Sequence, residues 1–216
     1  MSVKSKQRVA DHGEVFTSER EVNAMLNLVD QETQRIDSRF LEPACGDGNF
    51  LIEILRRKLA VIEARYKKSR LEYERYCVLG VGAIYGVELL EDNVLECRAR
   101  LFKCFDNYYS GLFKTEASEE FRDTIRFILA RNILWGDALT LKTVDGKRAP
   151  IVFSEWSLVE GSKIKRRDYS MAHLLAYQPM DGPNLFSDLG EEAFIPKPVA
   201  EFPITHYLKL AEAANA

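Results

Sequence analysis

The sequence predicts an α/β protein, a doubly wound parallel sheet with a short C-terminal hairpin and an extended tail. Three observations carry this. The stretch Phe40-Leu41-Glu42-Pro43-Ala44-Cys45-Gly46-Asp47-Gly48-Asn49-Phe50 runs from an apolar lead-in through a small-residue turn into a new apolar run, the pattern of strand, tight loop and helix start. Two later apolar segments, each preceded by helical spacing, also end in an acid, Glu88 and Asp137. The chain of 216 residues, with 46% hydrophobic and 29% charged residues, is the size of one α/β domain with a sizeable core.

Residues 7–14 are mostly polar and predict irregular structure. Val22, Met25, Leu26 and Val29 follow at helical spacing, with Ser18 placed to cap that helix and Glu21 completing the Ser-x-x-Glu capping box. In the next loop Pro43 ends strand pairing, and Gly46 and Gly48 permit positive φ and close backbone approach to a ligand. Asn49 or Asp47 can cap the helix beginning near Phe50. Such a loop aims free N–H groups at whatever lies above the strand's carboxyl end. Glu42 and Asp47 would repel a phosphate there and attract a ligand carrying an ammonium or sulfonium.

Leu51, Ile54, Leu55, Leu59 and Ile62 then recur at helical spacing, with Arg56, Arg57 and Lys58 largely opposite. A second helix is expected over 71–81, ending near Gly82, and a short buried strand over 83–89. Glu88, at its end, either presents a carboxylate to two vicinal hydroxyls or caps the helix that follows. Val94, Cys97, Leu101, Phe102 and Phe105 predict that helix, and residues 106–120 a loop or helix break. A further helix spans Phe121, Ile125, Phe127, Ile128 and Leu129, followed by the strand Asn132-Ile133-Leu134-Trp135 and a Gly136-Asp137-Ala138-Leu139 closure. Val144-Asp145-Gly146-Lys147 reads as a turn and Ile151-Val152-Phe153 as the next strand. Trp156-Ser157-Leu158-Val159 and Lys163 to Tyr169 flank Glu160-Gly161-Ser162 as a hairpin. Met171, Leu174 and Leu175 suggest a short helix, and five prolines with several acids over 178–203 an extended tail.

Glu42-Pro43-Ala44-Cys45-Gly46-Asp47-Gly48-Asn49-Phe50 resembles motif I of the S-adenosylmethionine-dependent DNA methyltransferases that modify the exocyclic amino group of adenine. The family form is Asp-Pro-x-Cys-Gly-(Ser/Thr)-Gly-x-(Phe/Leu), so Asp47 is a departure. Gly13-Glu14-Val15-Phe16-Thr17-Ser18 resembles the family's motif X, with Ser18 for the common Pro. Gly136-Asp137-Ala138 is similar to its third cofactor motif. The order of motifs, over roughly residues 7–153, is that of the γ-type and Type I modification subunits. The resemblance implies a Rossmann-like methyltransferase domain over 1–153, with 154–216 as a C-terminal hairpin, helix and tail of the same globule.

It also implies roles. The cofactor, S-adenosyl-L-methionine, is expected on Phe16, Thr17, Glu42, Pro43, Ala44, Cys45, Gly46, Asp47, Gly48, Glu88, Leu89, Asp137 and Ala138. Phe16 and Thr17 serve its methionine end, Glu88 the ribose hydroxyls, and Asp137 the adenine amino group beside apolar neighbours that clamp the ring. In the family the next strand ends in Asn/Asp-Pro-Pro-Tyr/Phe, which accepts the target amine and stacks on the flipped base. Here Ser154, Glu155 and Trp156 stand in that place, and no Asn-Pro-Pro-Tyr occurs in the chain. They are the candidate catalytic residues. The family implies methyl transfer to adenine N6 in DNA. A catalytically silent subunit acting with a partner is the alternative, and RNA, protein or small-molecule acceptors stay open.

The net charge of -3 gives no global attraction to nucleic acid, so a DNA surface must be local. Lys163, Lys165, Arg166 and Arg167, the densest basic cluster after the presumed active-site strand, are its candidates, with a solvated hairpin as the competing reading. Cys45, Cys77, Cys97 and Cys104 have neither zinc-site nor redox-pair spacing, and His12, His173 and His206 are scattered, so no metal is expected. The first residues lack the apolar core of a signal peptide. The most apolar uncharged run, 76–87, falls short of the about 20 residues that cross a bilayer. A cytoplasmic location, DNA as partner and a second restriction-modification subunit complete the expectations.

Overall fold

The computed structural model describes residues 17–175 and 196–212. Two short helices, α1 (Glu19–Asn27) and α2 (Asp30–Thr33), lead into strand β1 (Phe40–Glu42). Helices α3 (Asn49–Tyr66) and α4 (Arg70–Gly82) connect β1 to β2 (Ile84–Glu88). Helices α5 (Glu91–Phe113) and α6 (Glu119–Asn132) connect β2 to β3 (Ile133–Asp137), with a 3-10 turn at Lys114–Glu116 between them. A two-residue β4 (Lys142–Thr143), the hairpin β5 (Val152–Leu158) and β6 (Lys163–Ser170), and α7 (Met171–Leu175) follow. The last described elements are β7 (Ala200–Glu201), β8 (Thr205–His206) and a 3-10 turn at Tyr207–Lys209.

The first sheet is mixed and has the order β1-β2-β3-β4, the first three strands parallel and β4 antiparallel to β3. Alternation along β2 assigns its two faces. Ile84 joins the larger core with Leu51, Leu55, Val94, Leu101 and Ile133, beneath the helical layer. Tyr85 and Val87 face the other way and pack with Ile151, Phe153 and Met171. Where a doubly wound sheet carries helices, this face is therefore covered by the start of β5 and by α7.

The α1 capping box forms as its sequence dictates. Ser18 Oγ accepts from Glu21 N, and the Glu21 carboxylate accepts from Ser18 N at 3.0 Å. Residues 106–120 do not break the helix at their start. α5 continues to Phe113 because Phe105, Tyr109 and Phe113 extend one apolar stripe, and Tyr109 packs edge-on against Phe121 with centroids 5.1 Å apart.

Ile151-Val152-Phe153 is not a separate strand of the first sheet. Val152 and Phe153 open the long strand β5, which pairs antiparallel with β6 from Val152↔Ser170 to Leu158↔Ile164 in a second sheet. The cause lies just before it. Thr143 N donates to Ala149 O at 2.8 Å and Ile151 N to Leu141 O at 2.9 Å, so the chain folds back on β4 and enters β5 over Gly136. The hairpin turn falls at 160–162 as expected, with Gly161 at φ +55. Of the tail expected over 178–203, residues 178–195 lie outside the described residues, and Ala200–Glu201 pairs with β6 rather than lying free.

Tyr207, which the sequence alone did not single out, ties the end of the chain to the helices. Its hydroxyl donates to Glu74, as does that of Tyr109, and its carbonyl accepts from Thr124 Oγ1 at 2.8 Å. Glu74 is buried and satisfied on both oxygens, as a carboxylate in such a place must be.

Candidate functional site

The loop after β1 takes its shape from two glycines and two anchors. Gly46 and Gly48 have φ of +53 and +94. At Gly48 a Cβ would also come within 2.7 Å of Cys97 Sγ, so both conformation and space require glycine there. The loop is tied to β2 by Cys45 N donating to Val87 O at 3.0 Å and by Gly46 N donating to Glu88 Oε2 at 2.8 Å. Gly48, not Asp47 or Asn49, is the N-cap of α3, which has no side-chain cap and no acid in its first turn. Among the described residues, no side chain caps the first N–H groups of α3 at the mouth of the loop.

Above the carboxyl ends of β1, β2 and β3 lies a cleft of about 610 Å³. Thr17, Glu42, Pro43, Ala44, Cys45, Gly46, Asp47, Glu88, Leu89, Asp137 and Ala138 all line it. Gly48 is buried behind the loop, and Phe16 lies outside the described residues. Asn49, Phe50, Leu90, Gly136 and Leu139 complete the lining. Sequence reasoning did not select Leu139, although it follows Gly136-Asp137-Ala138 directly. Its side chain is 96% exposed at the rim.

The cleft is acidic. Burial, opposed by the Ala44 N–H, raises the Glu42 pKa. Glu88 also accepts from Leu90 N at 3.0 Å and Asn93 Nδ2 at 3.4 Å, so its carboxylate is held in place by both neighbouring segments. Asp137 accepts from Leu139 N at 2.9 Å and Thr140 Oγ1 at 2.9 Å, and these bonds, the backbone one first, lower its pKa. Asp47 is neutralised by Arg100, 2.7 Å from its Oδ2. Among the described residues Glu42 and Glu88 have no cation paired with them and Asp137 feels Arg148 only as the weakest cause of its lowered pKa, a balance that favours a cationic ligand over a phosphate. Among the described residues, no group of three or more His, Cys, Asp or Glu side chains is arranged to hold a metal ion.

The structure does not bring Ser154, Glu155 and Trp156 to this cleft. Glu155 is ion-paired with Arg39, which precedes β1, and Trp156 lies against Gly82, which precedes β2. The tripeptide thus sits at the amino ends of the strands. The five residues of β2, a span of roughly 16 Å, separate it from the cleft. Ser154 is 1% exposed and donates to Asp168 Oδ1 at 2.7 Å. Trp156 is buried, edge-on to Phe127, with its Nε1 donating to Asn132 Oδ1 at 3.4 Å. The direction of β5, antiparallel across the face of the first sheet, accounts for the displacement.

The basic cluster is also divided. Alternation along β6 turns Arg166 inward, where it is 6% exposed, pairs with Asp168 through Nη2 at 2.7 Å and stacks 3.8 Å from the Phe202 ring centroid. Lys165 is 2.9 Å from Glu201 and Arg167 is 3.8 Å from Glu155. Lys163 is exposed. Arg166 is a structural cation, and the four residues do not form one free patch.

No family model, curated protein or solved structure matches the chain. No described helix is long and apolar enough to cross a membrane.

Proposed function

We propose that the chain is a DNA-methyltransferase-like protein that binds S-adenosylmethionine in the cleft above β1, β2 and β3, on a Rossmann-like half-sheet. One observation carries the reading. Residues selected from three separate motifs, from Thr17 to Ala138, line a single cleft of about 610 Å³. That volume lies within the range of cofactor pockets, about 300–1,000 Å³. The residues present fit the group. Glu88, whose Oε1 already accepts from Leu90 N and Asn93 Nδ2 and whose Oε2 accepts from Gly46 N, keeps room on Oε2 for one ribose hydroxyl, and Asp137 accepts from the adenine amino group. Leu89, Ala138 and Leu139 give apolar surface to the ring. Glu42, Thr17 and the uncapped first N–H groups of α3 suit an amino-acid end that carries both charges.

When bound, the cofactor supplies a methyl group on a sulfonium, and its transfer to an amine depends on orientation more than on acid or base help. The acceptor proposed from the motif resemblance is adenine N6 in DNA, in a cytoplasmic modification system.

A second reading is favoured by the position of Ser154-Glu155-Trp156 at the far ends of the strands. In that reading the chain holds the cofactor and a partner subunit completes the acceptor side. Among the described residues β1 is the edge strand of its sheet, which is where a partner subunit would adjoin the cleft in this reading. The test is tritium transfer from labelled cofactor to an adenine-containing duplex by the chain alone. Robust transfer supports an autonomous methyltransferase. Cofactor binding without transfer supports the partner-dependent reading, and no cofactor binding removes both.

A further inference from the structure

The half of the loop that Glu88 does not hold is fixed by one cation on α5. Arg100 Nη1 donates to Asp47 O at 2.8 Å, and the same nitrogen is 2.7 Å from Asp47 Oδ2. Nη2 donates to Asn49 Oδ1 at 2.9 Å. Because the Asn49 oxygen is taken by Arg100, its amide nitrogen points the other way and donates to Thr17 O at 3.4 Å. Thr17, Asp47 and Asn49 line the cleft, and Arg100 does not.

We propose that Arg100 is a positioning residue for the polar end of the cleft, setting Asp47, Asn49 and Thr17 for the amino-acid portion of the ligand. The inference rests on the cofactor reading above. Its physical basis is preorganisation. Two positive-φ residues leave the loop with little intrinsic preference for this shape. Without Arg100 the Asp47 carboxylate and carbonyl lose the guanidinium that fixes them, the Asn49 amide is free to flip, and Thr17 loses its link to the loop. The nucleoside end, built from Glu88, Leu89, Asp137 and Ala138, has no contact with Arg100. The loss of Arg100 should therefore be felt at one end of the ligand only.

This selectivity is a readout that a general folding defect would not produce. Calorimetric titrations compare wild type, Arg100→Gln and Asn49→Ala with S-adenosylmethionine and with 5′-methylthioadenosine, which lacks the amino-acid portion. Arg100→Gln is expected to weaken S-adenosylmethionine about tenfold or more, the scale of a hydrogen bond to a charged group, and methylthioadenosine less than about twofold. Asn49→Ala keeps the Arg100–Asp47 pair and is expected to show the same selective loss, so it decides the matter if Arg100→Gln does not fold. Equal loss for both ligands, or no loss, overturns the inference while the cofactor reading stands. A folded wild type that binds neither ligand overturns both.

Discussion

Glu88 at the end of β2 accepts a hydrogen bond from Gly46 N at 2.8 Å, joining the loop after β1 to the neighbouring strand across 42 positions of sequence. The same carboxylate accepts from Leu90 N, so one side chain fixes two walls of the cleft. Glu88→Ala is expected to weaken S-adenosylmethionine by about 1.5–3 kcal/mol, the scale of hydrogen bonds to a charged group. Calorimetry on the folded variant checks this. An affinity equal to that of wild type would mean that Glu88 is only a loop anchor.

The two loop glycines are expected to differ. Gly46→Ala meets no neighbour and bears only the strain of positive φ, about 1 kcal/mol. Gly48→Ala adds a contact of 2.7 Å with Cys97 Sγ to the same strain, and should cost about 2–4 kcal/mol. Urea unfolding of the two variants side by side gives the order. Equal losses would count against the packing of α5 on the loop.

Arg166→Ala is expected to destabilise the protein by about 3–5 kcal/mol, because it leaves Asp168 as a buried charge without its partner. Lys163→Glu, on the exposed face of β6, should change stability by less than about 0.5 kcal/mol. Thermal unfolding separates the two, and a stable Arg166→Ala would contradict the inward placement.

Lys58 is fully buried in α3, and its Nζ donates to the carbonyls of Arg35 at 2.6 Å, Ile36 at 3.1 Å and Ser38 at 2.7 Å. Burial is the leading cause that lowers its pKa from 10.5 to about 8. Between those values the unfolded chain holds a proton that the folded chain has released, so this group makes stability rise with pH in that window. Below about pH 8 the lysine is charged in both states and contributes no slope. The urea midpoint of wild type relative to Lys58→Met should therefore increase from about pH 7.5 to about pH 9.5. A relative midpoint that falls would reverse the sign of the shift.

Much of this was legible in the chain because local patterns decided it. Strand ends at Glu42, Glu88 and Asp137 follow from apolar runs closed by an acid, and the parallel neighbours β1, β2 and β3 bring those ends together without further instruction. The inward turn of Arg166 was also readable, since a period of two places Ile164, Arg166 and Asp168 on one face of β6. What local pattern does not encode is the direction in which β5 crosses the first sheet. That depends on the fold-back of residues 149–151 onto β4 and on Trp156 finding Gly82 and Phe127, contacts between segments far apart in sequence. The same holds for Tyr207, whose partners Glu74 and Thr124 lie 133 and 83 positions away.

Trp156→Ala is accordingly expected to behave as a core truncation, costing about 3–5 kcal/mol, while Glu155→Gln leaves cofactor affinity unchanged. Stability and cofactor titration of the pair check this. A loss of affinity in Glu155→Gln without loss of stability would return the tripeptide to the site.

The acidic cleft above β1, β2 and β3 is proposed to hold S-adenosylmethionine. The most direct measurement is calorimetric titration of the folded chain with the cofactor, run beside Glu88→Ala and Glu155→Gln. Saturable binding by wild type and by Glu155→Gln, weakened in Glu88→Ala, is the predicted result. A folded wild type that takes up no cofactor would contradict the account.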